Sequence, residues 1–254
     1  MEIIVTENYD EMSKVGAELL AEVVKNKPNA VLGLATGTTP LGTYARLADA
    51  CHKGELSFKG VKTVNLDEYV GLGEESDQSY VWFMNHNLFD KIDIDKNNTH
   101  LPNGKATDFD KECERYTNLV KELRQDVQLL GLGSNGHIAF NEPGTPFDSH
   151  THIVNLTENT IKDNSRLFDD ISQVPTRAIS MGIADIMQAK KIVILASGSN
   201  KALAVYKTVE KKIDESCPAS ILQKHPNAVL VVDKAAAQLL SSASVVDNIS
   251  ASAV

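Results

Sequence analysis

Asn135, His137 and Glu142 fall close together in the run Leu129-Leu130-Gly131-Leu132-Gly133-Ser134-Asn135-Gly136-His137-Ile138-Ala139-Phe140-Asn141-Glu142-Pro143-Gly144. An imidazole flanked by an amide and a carboxylate has the parts of an oriented general acid/base. The run begins apolar, as Val127-Gln128-Leu129-Leu130, and reads as a short buried strand. The glycines that follow let the backbone turn sharply and lie close to a ligand. Their spacing also matches a dinucleotide fingerprint, which requires a helix to start at the loop so that its N-terminus faces the pyrophosphate. Here the loop runs instead into Pro143 and Pro146, which oppose a helix, and no second strand ending in an acid follows at the usual distance.

Three more strand-to-loop junctions carry unusual residues. Thr36-Gly37-Thr38-Thr39 follows an apolar strand over 30–35 and precedes a helix that starts near Pro40. Such a loop reads either as a simple helix cap or as an anion cradle in which N–H groups, hydroxyls and the helix dipole favour a phosphate. Asp67-Glu68-Tyr69 ends a strand over 61–66; taken alone, these acids read as a solvated turn. Ser197-Gly198-Ser199-Asn200-Lys201 follows a strand over 192–196. Lys201 stands near a helix N-terminus, where a cation opposes the dipole, which hints at a nearby anion. Arg166, in a polar helix-like stretch over 157–170, is a further cation able to reach one.

Short apolar strands alternate with amphipathic helices along the chain. Helices are expected over 10–25, capped by Asp10; over 77–88, with Trp82, Phe83 and Leu88 in the core; and over 108–124, capped by Asp108. Residues 152–156 read as a short edge strand, and extended structure resumes at Pro175. The pattern specifies an α/β protein: a single domain over 1–254, with a Rossmann-like, mostly parallel sheet covered by helices on both faces. The stretch at about 157–180 has few residues to anchor it and reads as a mobile helical lid. In such sheets ligands bind beyond the carboxyl ends of the strands, so the loops at Thr36, Asp67, Asn135 and Ser197 should gather along one edge. Anion loops, an acid pair and an oriented histidine make a site for a small phosphorylated metabolite. Carboxylate and imidazole without metal spacing suit proton transfer next to a carbonyl, or hydrolysis.

Composition narrows the partners. The formal net charge of -9 opposes nucleic acid and anionic membrane surfaces, and it means that an anionic substrate must be held by local donors. Cys51, Cys113 and Cys217 are odd in number and far apart, which fits neither a disulfide framework nor a zinc pattern. The N-terminus lacks the features of a secretory signal and no apolar run reaches membrane-spanning length, so a cytoplasmic location is expected.

Leu34-Ala35-Thr36-Gly37-Thr38-Thr39-Pro40-Leu41-Gly42, Asn65-Leu66-Asp67-Glu68-Tyr69, the run from Gly131 to Pro143, Asn164-Ser165-Arg166 and Gly198-Ser199-Asn200-Lys201-Ala202-Leu203 together resemble, in order, the glucosamine-6-phosphate deaminase (isomerising) family. The resemblance extends from about residue 3 to 232. The related 6-phosphogluconolactonases share the Gly-His turn but lack the Ala-Phe-Asn-Glu-Pro continuation. It implies conversion of D-glucosamine 6-phosphate and water to D-fructose 6-phosphate and ammonia, in amino-sugar catabolism, with no metal or organic cofactor. His137 would open the sugar ring, oriented by Asn135 and Glu142, and Asp67 would carry a proton from C2 to C1, with Glu68 beside it in a supporting role. Thr36, Gly37, Thr38, Thr39, Arg166 and Lys201 would hold the phosphate. Many family members carry Asp where this chain has Asn135, which implies a shifted pH profile. The basic residues with which some hexameric members bind an activator have no counterpart in Ser149-His150-Thr151-His152-Ile153-Val154. That departure implies a constitutive enzyme and points to a monomer rather than a homo-oligomer. A lactonase-type hydrolase and a non-catalytic sugar-phosphate sensor are the alternatives.

Overall fold

Strands flanked by helices on both sides must be apolar on both faces, and the central strands here are. The computed structural model describes residues 1–156 and 174–242. In chain order its elements are β1 (Glu2–Thr6), α1 (Tyr9–Asn26), β2 (Val31–Leu34), α2 (Leu41–His52), β3 (Lys62–Asn65), β4 (Asp67–Tyr69), α3 (Tyr80–Asn87), β5 (Thr99–His100), α4 (Phe109–Leu123), β6 (Val127–Gly131), β7 (His152–Asn155), β8 (Arg177–Ser180), α5 (Ile183–Ile186), β9 (Ile192–Ala196), α6 (Ala202–Glu210), β10 (Ala228–Asp233) and α7 (Lys234–Ala237). Seven strands form one parallel sheet in the order β1-β10-β9-β6-β2-β3-β5.

Alternation along each strand divides the interior into two cores. Leu129, Val193 and Leu195 face a core with Met12 and Leu20 of α1, Tyr44 and Leu47 of α2, and Met84 of α3. Their neighbours Leu130, Ile192 and Ile194 face the other way, onto Tyr116 and Val120 of α4, Ile183 and Ile186 of α5, and Val205 of α6. The period of two in the strands thus meets helical stripes on both sides, as the sequence pattern requires.

A second sheet, antiparallel and in the order β4-β8-β7, leaves the first at Leu66. The Leu66 N–H still bonds to Leu34 O in the parallel sheet, while its carbonyl accepts from Met181 N at 2.7 Å. Asp67, expected simply to terminate the β3 strand, therefore begins a strand of its own and lies opposite Ser180. The edge strand expected over 152–156 is β7. Of the stretch expected to form a lid, 157–173 lie outside the described residues, and the described remainder ends in β8.

Two local expectations are corrected. Asn8, not Asp10, caps α1: its side chain accepts from Glu11 N, while Asp10 sits in the first turn and pairs with Arg46. Trp82 is not a core residue. It is 37% exposed, and its ring lies flat on His86 one turn along α3. That helix starts at Tyr80 because Ser79 caps it through Trp82 N. Asp108 caps α4 as expected. No helix among the described residues is long and apolar enough to cross a membrane.

At the amino edge of the sheet, Asp126 accepts from Val31 N at 2.8 Å and from Lys27 and Lys190, each at 2.7 Å. Both lysines are half exposed, so the buried N–H dominates the energetics. Asp126→Ala should lower stability in urea melts by about 1–3 kcal/mol, with turnover per folded molecule unchanged, because this edge is opposite the functional one.

Candidate active site

The strand order decides which loops meet. β9, β6, β2 and β3 are consecutive neighbours in the parallel sheet. The loops that leave their carboxyl ends are 197–201, 132–144, 35–40 and the crossing at Leu66-Asp67. The four chemistry-bearing loops therefore stand side by side along one edge.

The loop after β6 depends on glycines at two close approaches. A Cβ on Gly133 would lie 2.4 Å from the His137 ring, so the imidazole rests directly on backbone. Gly136 has φ +93° and packs against Cys217, and its carbonyl accepts from Ala219 N at 2.9 Å. Within this turn Asn135 uses both ends of its amide. Its Oδ1 accepts from the His137 backbone N–H at 3.1 Å, and its Nδ2 donates to Glu142 Oε2 at 2.6 Å. Glu142 Oε1 lies 3.5 Å from His137 Nδ1, within ion-pair range but without an aligned hydrogen bond. Burial alone would raise the Glu142 carboxyl, but His137 and then Asn135 outweigh it and hold the pKa below the ordinary value. Glu142 thus faces the imidazole as a carboxylate. Asn135 orients the backbone and the carboxylate rather than the ring itself.

Asp67 has the opposite environment. It is 7% exposed, and no donor among the described residues reaches its carboxyl. Burial, and then the neighbouring Glu68, push its pKa up to about 8. Glu68 is also buried, which raises it to about 7, but its carboxylate accepts from the backbone N–H groups of Tyr69 at 2.8 Å and of Tyr80 and Val81 at 2.9 Å. Two of these donors belong to the first turn of α3, whose dipole also favours negative charge. Charge therefore settles on Glu68 and the proton of the pair on Asp67. Four tyrosines close in around Asp67 without neutralising it. Tyr44 OH donates to Ala35 O at 2.5 Å, Tyr116 OH to Asn65 O at 2.6 Å, and Tyr80 OH to Tyr69 OH at 3.2 Å. Burial raises all four hydroxyls, Tyr69 to about 12, so none ionises near neutrality.

The aromatic wall was not recognised from sequence. Tyr80 stacks on Phe140, with ring centroids 6.2 Å apart, tilts against Tyr69 at 4.7 Å, and has the Thr36 side chain near its hydroxyl. Tyr80 thereby packs the start of α3 against both β4 and the loop after β6. Two further bonds join the His137 loop to the Asp67 strand. Phe140 N donates to Ser180 Oγ at 3.2 Å, and Asn141 Nδ2 donates to Met181 O at 2.9 Å. Ser180 lies opposite Asp67, and Met181 N bonds to Leu66 O. Asp67 and the His137–Glu142 turn are thus tied together through Ser180 and Met181.

The anion loops occupy the flanks. No side chain caps α2, whose N-cap position is taken by Pro40, so the threonines at 36, 38 and 39 are not used as a cap. Gly37, at φ +94°, turns the chain there. Lys201 ends a 3-10 turn just before α6, and Asp233 fixes the preceding loop by accepting from Ser197 Oγ at 2.5 Å and from Gly198 N. Arg166 lies outside the described residues.

This fold and edge define a class that the comparisons name. The chain belongs to the family of glucosamine-6-phosphate isomerases/6-phosphogluconolactonase, which it matches over residues 6–231. Among its relatives, it is 52% identical over 241 residues to the glucosamine-6-phosphate deaminase of Clostridium perfringens (strain 13 / Type A), covering 94% of this chain and 100% of that protein. It is 48% identical to that of Thermoanaerobacter pseudethanolicus, covering 94% and 95%. A solved monomeric glucosamine-6-phosphate deaminase superposes with a TM-score of 0.91 at 46% identity, covering 94% of this chain and 100% of the other. The 6-phosphogluconolactonase of Trypanosoma brucei shares the fold, with a TM-score of 0.77 at 23% identity over 94% and 98%.

The raised Asp67 carboxyl has a consequence for stability. Below the unfolded-state pKa of about 3.9 both states are protonated and there is no penalty. Above it the unfolded chain ionises while the folded one keeps its proton, so stability falls as pH climbs toward 8. Asp67→Asn removes that penalty. Calorimetry should show the variant melting higher than the parent, by a margin that grows from pH 5 to pH 8 to on the order of 5 °C.

Proposed function

We propose that the chain catalyses aldose–ketose isomerisation with deamination, converting D-glucosamine 6-phosphate and one water to D-fructose 6-phosphate and ammonia. The observation that carries this reading is the pairing at one site of a buried, donorless carboxyl with an imidazole facing a carboxylate, in a chain about 50% identical to glucosamine-6-phosphate deaminases over 94% of its length.

Reaction begins with the closed sugar. His137 moves a proton between the anomeric hydroxyl and the ring oxygen, which breaks the C1–O5 bond and leaves an aldehyde at C1. Glu142 stabilises the imidazolium by charge; Asn135, an amide, cannot do so, and instead holds Glu142 and the His137 backbone in place. Asp67, once ionised, removes the C2 proton to give the enolamine and returns it to C1 as O1 is protonated. The product is the C2 ketimine. Water adds to C2, the carbinolamine expels ammonia, and the ketose remains. A carboxylate that burial has made more basic suits the removal of a weakly acidic carbon-bound proton.

The Thr36–Thr39 loop, Lys201 and Arg166 grip the phosphate. Local donors are required because the overall charge of -9 repels a phosphate ester. That grip fixes C1 and C2 against the acid/base groups. The segment 149–154, without Arg or Lys, fits a monomeric enzyme with constitutive kinetics. No step needs a metal or organic cofactor, and the reaction is assigned to the cytoplasm.

An assay that couples ammonia release to fructose 6-phosphate formation tests this directly, with 6-phosphogluconolactone hydrolysis as comparator. Turnover of the amino sugar, hyperbolic with and without N-acetylglucosamine 6-phosphate, is expected. kcat/KM should rise with pH through an ionisation well above the ordinary carboxylate range. Lactone hydrolysis without ammonia release would overturn the assignment. Within the same assay Asp67→Asn should abolish hydrogen exchange at C2, and normal turnover in that variant would remove Asp67 as the base. Lys201→Ala should raise KM about tenfold or more by removing a charge-assisted phosphate contact.

A further inference from the structure

The groups assigned to the two halves of the reaction stand on different sheets. His137 belongs to the loop after β6 of the parallel sheet, and Asp67 to the first strand of the antiparallel one. A phosphate-anchored sugar meets both only if the separation between these units is fixed. We propose that Asn141, together with Ser180, is the positioning pair that fixes it; this inference rests on the deaminase reading.

Asn141 is fully buried. Its Nδ2 donates to Ile138 O at 3.0 Å and to Met181 O at 2.9 Å, and its own N–H returns to Ile138 O at 3.0 Å. The first and third bonds close the turn in which Ala139 takes φ +51°, a left-handed conformation that an alanine adopts only when its surroundings impose it. The second bond leaves the turn and grips Met181, whose N–H is bonded to Leu66 O immediately before Asp67. One amide therefore sets the shape of the His137 turn and its distance from the base. Ser180 makes a parallel link. Its Oγ accepts from Phe140 N, and its backbone lies opposite Asp67. Neither side chain is assigned any contact with substrate. Both act through His137 and Asp67.

The test uses Asn141→Ala, Ser180→Ala and the double variant in the full-length protein. For each, kcat and KM for glucosamine 6-phosphate, competitive inhibition by inorganic phosphate, and the folded fraction from urea melts are measured. A displacement on the order of 1 Å between reacting groups costs up to about 100-fold. kcat per folded molecule should thus fall about 10- to 100-fold in Asn141→Ala and less in Ser180→Ala. The phosphate inhibition constant should stay within about twofold in each, because the phosphate loops are untouched. The double variant should lose less than the product of the single effects, since both side chains hold one joint. A purely structural role predicts activity lost only in proportion to folded protein. Unchanged kcat per folded molecule in both single variants would overturn the proposal. If Asn141→Ala does not fold, Ser180→Ala decides alone. A parent protein that releases no ammonia would instead defeat the functional reading, which separates the two failures.

Discussion

One proton, shared between two adjacent buried carboxyls, governs this molecule. Three backbone N–H groups converge on Glu68 and none among the described residues reaches Asp67, so negative charge is favoured on Glu68 and the proton stays with Asp67 until its raised carboxyl ionises. Both are carboxylic acids; what separates them is that only the longer side chain, Glu68, reaches backbone donors. Glu68 owes its donors to the start of α3, and α3 starts where it does because Ser79 caps it. The capping of a short helix thus sets which of the two acids receives backbone donors.

Around that pair the architecture packs side chains that carry no counter-charge. The tyrosines at 44, 69, 80 and 116 supply bulk without acidity, each with its hydroxyl committed elsewhere. The contrast with the turn after β6 is chemical. There Glu142 is half-buried beside an imidazole and kept ionised, so the site holds a hydrogen-bonded carboxylate and a donorless carboxyl of opposite tendency. Environments that push two titratable groups apart are how one pocket can offer both a protonated acid and an ionised base near neutral pH.

Much of this was legible in the residues. The parallel sheet follows from short strands such as 192–196 and 228–232, apolar on both faces, and the site follows from loops with odd chemistry at the carboxyl ends of strands. Less legible were features decided by contacts distant in sequence. The departure of Asp67 into a second sheet depends on β8, more than a hundred residues away, so the local pattern showed only acids after a strand. Burial of those acids was invisible for the same reason. Trp82 was misplaced because apolar character alone does not say which side of a helix meets the core when its hydrophobic residues are not sharply segregated. Asn8 and Asp10 are both good capping residues, and only the structure shows that the chain is still extended at Asn8, whose side chain accepts from Glu11 N. The aromatics Tyr69, Tyr80 and Phe140 bracket the acidic and histidine motifs in sequence, a signal that gained meaning only once their rings were seen to meet.

The misplaced tryptophan has a use. It is the single indole of the chain, and it sits on the solvent side of α3, stacked on His86, with its backbone N–H bonded to the Ser79 hydroxyl that caps the turn from which Tyr80 and Val81 hold Glu68. Its ultraviolet emission is therefore an intrinsic optical gauge of that helix, free of competing fluorophores of its kind. A change in the packing or solvent exposure of α3 would be read on unlabelled protein, at concentrations far below those that magnetic resonance demands.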